Sequence, residues 1–154
     1  MAGAVACACA LACVGFMAHA VATDMRFRII SRWDCCGIAV AGSAAQLLCG
    51  GVGAWLEGAA FAVFSVAACC GASWLLGRKR QGAAPLGGGD VRCIAALSLA
   101  TGPAASVGAV AATAAATAAA CVGMAAGRLR LSSAIPLAPA LAVWLAAGLL
   151  ARLW

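Results

Sequence analysis

From Ala2 to Thr23 the chain carries no Asp, Glu, Lys or Arg, and the same holds from Cys35 to Leu56, Gly58 to Gly77 and Cys93 to Gly127. About 20 consecutive apolar residues span the hydrocarbon core of a bilayer. Runs of this kind, separated by short polar punctuation, predict helices at about 2–23, 35–56, 58–77, 91–101, 104–127 and 134–151. The expected fold is all-α: a polytopic membrane helix bundle of about six transmembrane helices, in one domain covering residues 1–154. Composition agrees. Hydrophobic residues make up 66% of the chain and charged ones 9%, with a mean hydropathy of +1.08, against about 45–50% apolar in soluble domains.

The segments are unequal. The first has no Lys or Arg at its amino end and too long an apolar run for a cleaved signal peptide, so it is expected to remain as a span. The fourth is short before Thr101-Gly102-Pro103, about 16 Å at 1.5 Å per residue. It is either a shallow helix closed by this turn or part of a longer one kinked at Pro103. The fifth holds AATAAATAAA, and such small residues suit close packing, so it is expected to line the core.

Basic residues orient the bundle. Arg26, Arg28 and Arg32 follow the first segment, Arg78, Lys79, Arg80 and Arg92 surround a glycine run, and Arg128 and Arg130 follow the fifth. With six spans these fall on one side, which the positive-inside rule makes cytoplasmic, leaving Glu57 and Arg152 outside. Both termini then face out. The net charge of +6 is read as a topology signal rather than a nucleic-acid surface.

The chain has four carboxylates, Asp24, Asp34, Glu57 and Asp90. Asp24 closes the first helix and Asp90, in PLGGGDVR at 85–92, opens the fourth. Both therefore belong at the inner membrane edge, where they can face each other, and an ionisable group near hydrocarbon is a functional candidate. Simpler readings exist for each: a helix N-cap for Asp90, an ion pair with Arg26 or Arg28 for Asp24, and a solvated loop charge or a cap for Asp34.

The ten cysteines include no C-x-x-C, so Cys7, Cys9, Cys13, Cys49, Cys69, Cys70 and Cys121 read as small buried hydrophobes, and no metal site is expected. Cys35-Cys36 at a membrane edge is open to reaction or lipidation. His19 reads as a packed or hydrogen-bonded helix residue. Trp33, Trp55, Trp74 and Trp154 read as interfacial anchors.

Three segments together resemble the type IV prepilin peptidases. DMRFRIISRW at 24–33 is similar to the family's D-x-R-x-R-x-I-P-N segment, with Ser31 and Arg32 where the family has Pro and Asn. GGGDVRCIAALSLATG at 87–102 resembles G-x-G-D-x-K-L-x-A-A-L-G. Gly87, Gly89, Asp90 and Ala95-Ala96-Leu97 match, whereas Arg92 replaces Lys and Ser98 replaces Gly. IPLAPALAV at 135–143 is similar to the I-P-F-G-P-F-L-A start of the family's last helix. The length resembles the minimal peptidases of tight-adherence pilus systems.

This resemblance implies a membrane-embedded aspartic endopeptidase that removes the leader of prepilin or pseudopilin substrates at the cytoplasmic face of the prokaryotic inner membrane. It implies Asp24 and Asp90 as the catalytic pair, with no cofactor and no metal. Gly87, Gly88 and Gly89, lacking a Cβ, would let an extended substrate backbone approach. The expected partners are the prepilin and the lipid bilayer, with no nucleic acid. The paired C-x-x-C domain of longer members has no counterpart here, which speaks against N-methyltransferase activity. From helix polarity alone, Asp90 at a helix N-terminus is expected to be the anionic base and Asp24 at a C-terminus the acid. The alternatives are a small ion- or proton-coupled transporter using the same Asp pair, and a pilus-assembly scaffold without activity.

Overall fold

The computed structural model describes residues 2–79, 87–127 and 136–151. Its helices are α1 (Ala2–Phe27), α2 (Arg32–Cys49), α3 (Gly51–Lys79), α4 (Gly88–Thr101), α5 (Ala105–Ala125) and α6 (Ala138–Leu150). A 3-10 turn, Gly102–Ala104, joins α4 to α5. Among the described residues three stretches of helical backbone are long and apolar enough to cross a bilayer, Gly3–Phe27, Gly51–Trp74 and Gly88–Ala125, the last taking in α4, the turn and α5 together.

Side-chain contacts give the directions. Cys13 reaches the carbonyl of Ile38, Phe16 lies on Gly37, and His19 meets Asp34, so α1 and α2 run antiparallel. Cys35 touches Cys93 and Gly42 touches Ala100, so α2 and α4 run side by side in the same direction. Thr101 packs on Gly148 and Gly108 on Trp144, so the chain reverses after α4 and α5 returns along α6. The ends of α1, α2 and α4 that carry Asp24, Asp34 and Asp90 therefore lie together.

Several expected boundaries shift. The sequence divides the second and third segments at Glu57; the break is at Gly50–Gly51, and Glu57 lies exposed within α3. Gly50 N–H closes the last turn of α2 on Gln46, and Gly51 takes φ +70°, which a glycine adopts freely. α1 extends to Phe27, one turn beyond expectation. It ends on Arg28 at φ 58°, whose N–H bonds the Asp24 carbonyl at 2.9 Å in the manner of a left-handed C-terminal cap. α4 starts at Gly88, so Asp90 is its third residue and not its cap.

The turn after α4 resolves the two readings of that segment. Pro103 supplies no N–H, and Gly102 holds φ 54° against the Gln46 side chain, where any Cβ would collide. Gln46 Nε2 donates to the Ala100 carbonyl at 3.2 Å, serving a helix end whose last carbonyls lack partners in the helix. With 14 residues, α4 is about 21 Å long, well short of the ~30 Å core.

The core is built from Cys13, Met17, Ile38, Cys93, Leu97, Leu141 and Trp144. The Ser98 and Thr101 hydroxyls donate back to Ile94 and Leu97 carbonyls, and Trp144 Nε1 donates to Thr101 Oγ1 at 3.3 Å, whereas the buried Trp55 Nε1 finds no hydrogen-bond partner among the described residues. α5 lines the core along one edge only. Only Ala105, Gly108 and Ala112 are buried, and the Thr113 and Thr117 hydroxyls bond carbonyls of their own helix, so the stretch needs no polar partner. Trp33 and Trp74 are exposed as interfacial anchors would be, whereas Trp55 is half-buried with its Nε1 enclosed, and Trp154 lies outside the described residues.

Candidate active site

Asp24 sits in the last turn of α1, with 6% of its surface exposed. Its Oδ2 accepts the N–H of Ala138, the first residue of α6, at 3.0 Å. The next residue, Pro139, has no N–H to offer, so Asp24 takes one of the few donors that this helix end presents. Of the two ion pairs that the simpler reading of Asp24 offered, with Arg26 or Arg28, the one with Arg26 is not formed: that guanidinium lies over Phe27, 5.4 Å from the ring centre.

Asp90 is half-buried in the first turn of α4, and its Oδ2 accepts the N–H of Gly87 at 3.2 Å. The segment between α1 and α2 brings the two carboxylates together. Ile30 packs on Gly89, which sets Asp24 and Asp90 at the same end of the bundle and within electrostatic range of each other. Each carboxylate thus sits at a helix N-terminus, Asp24 at that of α6 and Asp90 at that of α4. The polarity argument that separated an acid from a base therefore no longer distinguishes them.

The three glycines of the run differ. A methyl on Gly87 would lie 3.1 Å from Asp90 Oδ2 and crowd the carboxylate. A methyl on Gly89 would lie 3.4 Å from Ile30, an ordinary contact, while Gly88 faces open space. Arg80 and residues 81–86 before this run lie outside the described residues, as do Arg128, Arg130 and Arg152.

Asp34 departs from expectation. It is neither solvated nor a cap: it is 4% exposed, and Ser31 caps α2 by accepting from Trp33 N–H. His19 Nδ1 lies 3.0 and 2.9 Å from the two Asp34 oxygens, with the His19 side chain largely exposed. His19 is thus a hydrogen-bonded helix residue, and its partner is a buried carboxylate that sequence reasoning placed in solvent. The cysteines are free; Cys13, Cys35 and Cys93 are buried, and the Cys35 and Cys93 thiols face each other across the α2–α4 seam. Cys7, Cys36, Cys49, Cys70 and Cys121 are exposed on the bundle surface. Among the described residues no group of three or more His, Cys, Asp and Glu side chains could hold a metal ion.

A scan against protein families matches residues 11–126 to the type IV leader peptidase family. The chain belongs to that family. The match runs from α1 to the end of α5 and contains Asp24, the glycine run and Asp90. Searches of curated proteins and of solved structures returned no match. The family is one of aspartic prepilin leader peptidases of the inner membrane, so membership implies cleavage of a prepilin leader peptide.

Proposed function

We propose that Asp24 and Asp90 are the catalytic pair of this peptidase and that cleavage takes place at the cytoplasmic face of the membrane. The observation that carries the assignment is that these two carboxylates stand at one end of the bundle, each on a helix N-terminus and within electrostatic range of the other. Two such groups can share one proton. The ionised member takes a proton from a water molecule, which adds to the scissile carbonyl carbon. The protonated member gives its proton to the carbonyl oxygen, and collapse of the resulting diol breaks the C–N bond as the amine takes up a proton.

The face follows from charge. Arg26, Arg28, Arg32 and Arg92 stand at the same end as the pair, and the positive-inside rule assigns that end to the cytoplasm in a six-span topology. The glycine run admits the substrate in extended form, with Gly88 as its open position. The substrate class is a prepilin or pseudopilin bearing a leader.

The test is a cleavage assay on the purified full chain in detergent with a synthetic prepilin segment, alongside proton uptake by vesicles containing the protein. Cleavage that disappears in Asp24→Asn and in Asp90→Asn supports the proposal. Wild-type protein that cleaves nothing, but moves protons in a manner dependent on both residues, would replace it with a transporter.

A further inference from the structure

On the outer surface of the bundle, α2 and α4 enclose a groove of about 460 Å³ whose lining includes Arg32, Cys36, Ala39, Arg92, Ala95 and Leu99. At 100° per residue, positions 92, 95, 96 and 99 occupy the face of α4 opposite Asp90, and 32, 35, 36 and 39 the face of α2 opposite Asp34. The groove is therefore separate from the carboxylate site. No carboxylate lines it, since Asp34 is held by His19 and Asp90 by Gly87.

Its two ends differ in character. Arg32 opens α2 and Arg92 lies in the second turn of α4, both exposed, at the end of the bundle where the basic residues gather. Among the described residues neither has a carboxylate partner; Arg32 lies over the Trp33 ring, 5.3 Å from its centre. From there the groove continues along small and apolar side chains, Ala39, Ala95 and Leu99, toward the middle of the bundle. Two guanidiniums at headgroup depth with an apolar channel below match a ligand that has an anionic head and a hydrocarbon tail.

We propose that this groove binds an anionic phospholipid, with its phosphate between Arg32 and Arg92 and an acyl chain laid along Ala39 and Leu99. The site joins α2 to α4, so an occupied groove braces the helix that carries Asp90 from its outer side. The tail distinguishes this ligand from a free anion, because the apolar channel has no part in holding inorganic phosphate. Arg32 stands at a helix N-terminus, where a positive charge gains nothing from the helix itself. Its placement favours a ligand role over a capping one.

The experiment is native mass spectrometry of the purified full chain, delipidated and then given equal amounts of phosphatidylglycerol and phosphatidylcholine. The wild type is expected to retain phosphatidylglycerol several-fold over phosphatidylcholine. Arg32→Gln with Arg92→Gln should bring the two lipids to parity, whereas Arg128→Gln with Arg130→Gln, which removes the same charge elsewhere, should not. Ala39→Trp, which fills the channel and keeps both arginines, should also abolish the preference and decides the matter if the arginine variant fails to fold. Parity in the wild type, equal loss in both arginine variants, or displacement of the lipid by soluble glycerol phosphate would each overturn the proposal.

Discussion

The N–H of Ala138 donates to Asp24 Oδ2 at 3.0 Å, joining the end of α1 to the start of α6 across 114 positions of sequence. One carboxylate is thus asked to hold a helix end and, in the proposed reaction, to handle protons. The two duties can be separated. Asp24→Asn keeps an acceptor oxygen and should fold with a thermal midpoint near that of the wild type while losing cleavage. Asp24→Ala loses both and should be less stable by about 1 kcal/mol, the worth of a cap. Thermal unfolding in the same detergent reads the difference.

For the pair as a unit, Asp24→Asn and Asp90→Asn should each remove nearly all cleavage, and the double variant should be hardly slower than either single one. Groups that act together are strongly non-additive in this way. Rates compared at equal folded protein check it, and two losses that multiply would mean that the carboxylates act separately.

Asp34 should behave differently. His19→Ala leaves a buried carboxylate without its partner and is expected to cost about 1–3 kcal/mol. The double variant His19→Ala, Asp34→Ala should recover part of that loss. Asp34→Asn is expected to lower stability but to leave the turnover of folded enzyme within a few fold. A double-mutant cycle of unfolding midpoints measures the coupling.

Gly88 isolates the substrate's demand from the fold's. Open space surrounds it, so Gly88→Ala should leave the unfolding midpoint unchanged. If a substrate backbone passes over it, KM should rise several-fold with little change in kcat. An unchanged KM would remove Gly88 from the substrate path.

Topology gives a fifth expectation. Glu57 is exposed near the end of the bundle where Gly58 packs on Gly102, away from the carboxylates. On a background without native cysteines, Glu57→Cys should react with an impermeant thiol reagent added to intact cells, and Gly88→Cys only after lysis. The reverse pattern would put the site on the other face.

Much of this arrangement was legible in the chain because membrane helices announce themselves as uncharged runs, and because Asp24 and Asp90 stand at the ends of such runs. Boundaries were less legible. Glu57 is the visible punctuation between the second and third apolar runs, but the break falls at the glycine pair before it, where Gly51 supplies the φ +70° that a break requires. Long-range partners were not legible at all: nothing local in the sequence says that His19 meets Asp34 across a helix hairpin, or that α6 delivers its first N–H to Asp24. Burial of Asp34 follows from that meeting and not from its polar neighbours. The threonines of α5 satisfy themselves, so a sequence suited to an interior belongs to a helix that gives only the edge of Ala105, Gly108 and Ala112 to the core.

The clasp between Gln46 and the turn at Gly102 has a consequence for sequence length. Asp90 is reached from that fixed point only through the rod of α4, and Gly42 meets Ala100 with no room for a methyl group between them. Inserting or deleting one residue between Val91 and Thr101 would swing the carboxylate by about 100° and shift it about 1.5 Å in depth, carrying it off Asp24. The register of this one helix is thereby a ruler for the reaction, and its residue count is under a constraint that the connections at either end of the bundle do not share.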